Sequence, residues 1–129
     1  MNIKEKESKS CIDWKQAVQL TGGKQHLAKE LLDMFVKTMN TELTHIKKLY
    51  EQQALLPLYD IIHKLHGSVS YCGLPALKKA IKLFETAIKL KNNANIASAY
   101  ENFVTETKRL QKEYIACLLY TSPSPRDIG

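Results

Sequence analysis

Along most of the chain, apolar residues recur every three or four positions, the spacing that lines one face of a helix. The longest such run extends from Lys24 to Gln53. There Leu27, Leu31, Met34, Phe35, Met39, Leu43, Ile46, Leu49 and Tyr50 form the stripe, and strand alternation does not fit. Ahead of it, Asp13 is a candidate N-cap for a short helix carrying Trp14, Ala17, Val18 and Leu20, which Thr21-Gly22-Gly23 ends with residues that tolerate positive φ. Pro57 suits the first position of the next helix, where a missing N–H costs nothing; its stripe is Leu58, Ile61, Ile62, Leu65, Val69 and Cys72. Gly73 stops that helix and Pro75 starts another with Leu77, Ala80, Ile81, Phe84 and Ile88 on its core face. After a polar turn over Lys91–Asn95, a last helix from about Ile96 carries Ala99, Tyr100, Phe103, Thr107, Leu110 and Tyr114. Short connections between long amphipathic helices predict an all-α fold, an antiparallel up-down four-helix bundle with a short leading N-terminal helix.

The ends depart from this pattern. Residues 1–11 are charged and aperiodic and read as a flexible leader, so the bundle is expected over 12–116. From Cys117 to Gly129 the pattern ceases and Pro123 and Pro125 forbid its return; this stretch reads as a disordered or non-native-looking tail, resembling translated read-through at the end of a sequenced fragment.

Composition narrows the class of function. A chain of 129 residues forms about one domain, able to bury roughly two thirds of its unfolded surface, with no room for a two-lobed enzyme. Hydrophobic residues at 44% exclude wholesale disorder. The net charge of +6 is carried almost wholly by Lys, and the aromatic share is 8%; without Arg forks or stacking aromatics, nucleic acid is not an expected partner. Cys11, Cys72 and Cys117 share no short spacing, which points to neither a disulfide framework nor a zinc knuckle. No apolar run reaches the roughly 18 residues of a membrane span. A cytoplasmic monomer without membrane insertion is expected, which leaves open that it forms the cytoplasmic end of a membrane-anchored kinase.

The segment Asp60 to Gly73 holds the candidate chemistry. At about 100° per residue, His63 projects roughly 150° from the apolar stripe and faces solvent. Gly67, one turn on, lies almost on the same line, leaving bare surface beside the imidazole. An interior Gly costs a helix about 1 kcal/mol relative to Ala, which suggests that something must approach closely there. His66 lies on the flank between the stripe and His63, and Lys64 points off the other side. Between positions 63 and 91, Lys64, Lys78, Lys79, Lys82, Lys89 and Lys91 stand against one acid, Glu85. An exposed imidazole, nucleophilic at neutral pH and ringed by cations, suits a transient phosphoryl carrier.

Blander assignments compete with each of these. A surface histidine is usually only solvated, and a lysine-rich helix face likewise. His66 suits a partly buried hydrogen-bonding role as well as a functional one. His26 and His45 have no partner motif. His63, His66 and Cys72 offer too few converging ligands for zinc, and the single Glu42-x-x-His45 falls short of a di-iron set, so no metal site is expected. A non-catalytic helical adaptor that docks a partner protein surface is the alternative from another class.

The run His63-Lys-Leu-His-Gly-Ser-Val-Ser-Tyr-Cys-Gly73 resembles the His-x-x-Lys-Gly-x(5)-Gly signature of histidine phosphotransfer (HPt) domains. Ile12-Asp13-Trp14, the long helix and Leu74-Pro-Ala-Leu-Lys-Lys extend the resemblance over roughly residues 12–114, to the HPt module that ends hybrid sensor kinases of the BarA/GacS type. The resemblance implies that the Nε2 atom of His63 is the phosphoacceptor. It makes His66, Gly67, Lys64, Lys78, Lys79 and Lys82 phosphoryl-stabilising or receiver-docking residues, with Gly73 the second glycine of the motif. The family's usual Lys at the third position after the histidine is His66 here, which makes that cation dependent on pH. Implied partners are the receiver domains of a hybrid sensor kinase and of a response regulator. No intrinsic cofactor is implied, since the receiver supplies Mg²⁺; nor is ATP-dependent kinase activity, for which the sequence offers no Gly-rich phosphate loop.

Overall fold

The computed structural model describes residues 10–121, and among them every regular element is helical: α1 (Trp14–Leu20), α2 (Gln25–Glu51), α3 (Leu55–Val69), α4 (Pro75–Leu90) and α5 (Asn93–Thr121). Each helix packs on the next, and α2 also meets α5, so the four long helices enclose one core. Leu32, Met39, Leu58, Ile81, Phe84 and Phe103 are each fully buried there. At one end, Tyr50 stacks on Tyr100 with ring centroids 3.8 Å apart, and Phe84 meets both Tyr100 and Phe103 edge-on or tilted. Farther along, Tyr114 donates to Asp33, and the Gln111 amide donates to Asn40 at 2.6 Å, binding α5 to α2.

The expected element order holds, with local shifts that have identifiable causes. Asp13 caps α1 as expected, its Oδ1 accepting from the Gln16 N–H at 3.0 Å. Helix α3 begins at Leu55, two residues before Pro57; the proline still falls within the first turn, whose N–H groups lack intrahelical partners in any case. Helix α5 begins at Asn93 and not near Ile96, because the Asn92 side chain accepts from the Asn95 N–H at 3.1 Å and caps a turn that reads as loop from composition alone. It also continues past residue 116 to Thr121, since nothing in Ile115-Ala-Cys-Leu-Leu-Tyr breaks a helix before Pro123. In α2 the core face is Ala28, Leu32, Phe35, Val36 and Met39, whereas Leu27 and Met34 of the expected stripe are exposed. Two adjacent apolar ridges share this helix, and periodicity alone does not say which one turns inward.

Ser10 and Cys11, expected to end a leader, instead lie on the bundle, and Cys11 is buried; residues 1–9 and 122–129 lie outside the described residues. The Cys11 N–H donates to Glu113 Oε1 at 2.9 Å, its thiol to the same oxygen at 3.0 Å, and the Ser10 hydroxyl to Oε2. Burial and then this carboxylate push the Cys11 thiol up to about 12, so the sulfur is inert. Burial works against the Glu113 charge, but the bonds from Ser10 and Cys11 outweigh it and hold the carboxyl below its ordinary 4.5.

Gly73 seats α1 on the turn between α3 and α4. Its φ of +67° is left-handed, and a Cβ there would lie 2.6 Å from the Asp13 carbonyl oxygen and 2.7 Å from Ala17 Cβ. The Asp13 N–H donates to the Gly73 carbonyl at 2.8 Å across the same contact. Both backbones must move to admit a side chain, so Gly73→Ala is expected to cost about 3 kcal/mol in denaturant unfolding, from left-handed strain plus overpacking. A cost under about 0.5 kcal/mol would show that the contact is loose.

The Glu113 clasp predicts a pH dependence. A carboxyl held below its unfolded pKa stabilises fully above the unfolded value, and that contribution disappears as pH falls through the folded one. The wild-type chain is therefore expected to outlast Glu113→Gln in thermal unfolding at neutral pH and to lose that advantage below about pH 4.5. An advantage that stays constant with pH would exclude the charged clasp.

Candidate functional site

Helix α3 turns Leu58, Ile62, Leu65 and Val69 into the core, which leaves His63, Lys64 and Gly67 on its outer side. The His63 side chain is 64% exposed and that of His66 27%; three residues apart, both lean toward α4. There they meet one carboxylate. His63 Nδ1 lies 2.5 Å from Glu85 Oε2, and His66 Nδ1 lies 2.7 Å from Glu85 Oε1. The Glu85 side chain is only 12% exposed, and burial alone would push its carboxyl up. Hydrogen bonds from the two histidines, together with their charge, outweigh burial and hold the group below its ordinary 4.5.

An ionised carboxylate can only accept, so both Nδ1 atoms carry a proton, and in the neutral form of either ring the lone pair is on Nε2. On His63 that lone pair is on the side of the ring away from Glu85. Tyr59, one turn earlier, stacks against the His63 ring with centroids 5.7 Å apart and planes 13° from parallel. Burial and then the Glu85 charge push the Tyr59 phenol up. The imidazole is thus held from one edge and one face, and its side chain is otherwise 64% exposed.

Gly67 differs from Gly73 in its cause. A Cβ built on it meets nothing within 4 Å, so no contact within the molecule requires glycine there. Beside it a groove opens between α2 and α3, lined by Leu31, Met34 and Phe35 on one wall and by Lys64, Gly67 and Tyr71 on the other. Met34 is 62% and Tyr71 60% exposed, so this groove is where the second apolar ridge of α2 emerges. Lys78, Lys79 and Lys82 line another groove, together with Gln16, Leu20 and Leu74.

The six lysines counted around His63 line three separate grooves, Lys64 the first, Lys78, Lys79 and Lys82 the second, and Lys89 and Lys91 the third, and the group that touches the imidazoles is the acid. Sequence reasoning counted Glu85 only as a subtraction from the local positive charge. Its one signal was being the lone acidic residue between positions 63 and 91, next to Phe84 on the core face. Cys72 is buried, and that burial pushes its thiol up to about 11. His26 and His45 are exposed and lie 3.5 Å and 3.6 Å from Glu30 and Glu42 along their own helix. Among the described residues, no cluster of three or more His, Cys, Asp or Glu is arranged to hold a metal ion, and no helix is long and apolar enough to cross a membrane.

Comparison with known proteins points to the same helices. The sensor protein GacS of Pseudomonas syringae pv. syringae is 29% identical over 102 residues, 79% of this chain and 11% of that protein. The signal transduction histidine-protein kinase BarA of Escherichia coli (strain K12) is 31% identical over 80 residues, 62% of this chain and 9% of that protein. The BarA of Shigella flexneri is similar to the same extent. The chain thus spans about a tenth of the length of these relatives. No solved structure matches it. The Hpt domain family matches residues 30–115, a span that contains His63, Gly67 and Glu85 together, and the chain belongs to that family.

Proposed function

We propose that this chain is a phosphorelay intermediate in two-component signalling, taking a phosphoryl group from a receiver-domain aspartate on His63 and passing it to the aspartate of a response regulator. The observation that carries the proposal is the tethering of His63 through Nδ1 to Glu85, with Nε2 outward one turn from a glycine that no internal contact requires. In the first transfer the Nε2 lone pair attacks phosphorus, the P–O bond to the donor aspartate breaks, and the carboxylate leaves with its electron pair. Nδ1 keeps its proton, so the phosphorylated ring carries positive charge, which Glu85 offsets at 2.5 Å. In the second transfer an acceptor carboxylate oxygen attacks phosphorus and the N–P electrons return to Nε2. No proton has to move in either direction.

Mg²⁺ and the acidic pocket belong to the receiver in this scheme, and ATP enters neither transfer. The groove at Gly67, with Leu31, Met34 and Tyr71 on its walls and Lys64 at its rim, gives the receiver an apolar seat beside His63. Lys78, Lys79 and Lys82 contribute long-range attraction to an acidic receiver face. The scaffold is an antiparallel up-down bundle led by α1. In support, Asp33 and Tyr50 of α2 meet Tyr114 and Tyr100 of α5, an order that reverses along the second helix. The working form is a cytoplasmic monomer.

Transfer from a receiver charged by a small phosphodonor is expected to give an acid-labile label on the wild-type chain and none on His63→Gln. A folded, helical wild-type chain that stays unlabelled with several receivers would favour the adaptor that docks a partner through the same groove without chemistry.

Gly67→Leu separates fold from access. The leucine meets open space in the chain itself, so α3 should gain up to about 1 kcal/mol of helix stability while transfer falls at least tenfold because the receiver is obstructed. Unchanged transfer would show that no partner approaches at Gly67.

A further inference from the structure

We propose that His66 is a positioning residue that acts on His63 through Glu85, its Nδ1–H anchoring one carboxylate oxygen so that the other faces His63. The inference deepens the relay reading and rests on it only for the consequence in transfer rate; the positioning itself is a matter of geometry.

A glutamate side chain has three rotatable bonds, and a single hydrogen bond to a ring as exposed as His63 does not immobilise it. The second bond comes from a more sheltered partner. His66 is 27% exposed against 64% for His63, and Glu85 is 12% exposed. The His66–Glu85 pair is thus the sheltered base on which the exposed imidazole is set. Each carboxylate oxygen has its own imidazole donor, Oε1 from His66 and Oε2 from His63, which fixes the rotation of the carboxylate plane. His66 spends its Nδ1–H on α4 and is therefore anchored to the carboxylate, whereas a flexible lysine at the same place would be free to follow a phosphoryl group.

Loss of that anchor lets the Glu85 carboxylate swing toward solvent. The neutral His63 ring then loses the acceptor that holds its proton on Nδ1, and an unrestrained histidine ring in water favours the Nε2–H form. In that form the outward nitrogen carries a proton and has no lone pair for phosphorus. His66 thereby acts on which His63 nitrogen is the nucleophile without touching the phosphoryl group.

The test uses the full chain and three variants, with the His63 tautomer read from ¹⁵N chemical shifts at about pH 8.5, where imidazoles are ordinarily neutral. His66→Leu removes the donor. His66→Asn keeps a donor near the place of Nδ1 on a short stem, and His66→Lys restores a cation. Expected are a shift of His63 toward Nε2–H and about tenfold slower phosphoryl transfer in His66→Leu, the scale of one hydrogen bond to a charged group. His66→Asn should keep the wild-type tautomer and recover the rate to within about twofold. An unchanged His63 tautomer in His66→Leu overturns the proposal, as does recovery of transfer by His66→Lys but not by His66→Asn, which would place a cation on the phosphoryl group itself. A wild-type chain that accepts no phosphoryl group would sink the relay reading and leave the tautomer result to decide the positioning alone.

Discussion

The passage of Asp13 and Ala17 over Gly73 governs how α3 and α4 meet. A turn that crosses another backbone this closely, with a Cβ site 2.6 Å from a carbonyl oxygen, has little freedom to slide. The relative register of the two helices follows from that turn, and register decides which residue of α4 faces His63 and His66. One residue of slip would rotate Glu85 by about 100° and replace it with Thr86 or Phe84. The contact that seats the smallest helix therefore also determines the electrostatics of the site, although it lies beyond the C-terminal end of α3, ten residues on from His63.

Much of the fold was legible because helical periodicity is a local property. Residues such as Leu58, Ile62, Leu65 and Val69 declare a buried face by spacing alone, and the outward direction of His63 follows from the same arithmetic. The side chains that went astray are those whose neighbours are distant in sequence. Met34 and Leu32 belong to adjacent ridges of one helix, and only the position of α3 beside α2 determines which is buried. Cys11 is held by Glu113, a partner about a hundred residues away that no pattern near Ser10 announces. The extra helical turn at 117–121 has the opposite cause, since the local sequence permitted it and only the change in patterning argued otherwise.

The two motif glycines show how one residue type can carry opposite meanings. Gly73 is required by backbone conformation and close packing, whereas Gly67 is in ordinary helical geometry with empty space beside it. Spacing identified both, but only the surroundings of each separate an internal constraint from an external one. Charge counting passes over a contact of the same kind. Positions 63–91 hold six lysines and one acid, and it is that acid which bonds both imidazoles.

The clasp at Gly73 has one more consequence, through the residue that follows Asp13. Trp14 is the only tryptophan of the chain, and it lies half-exposed at the start of α1, outside the aromatic cluster of Tyr50, Phe84, Tyr100 and Phe103. Indole fluorescence from this protein therefore reports whether α1 is seated on its turn. Far-ultraviolet dichroism instead follows the four long helices, so the two signals distinguish release of the clasp from loss of the bundle.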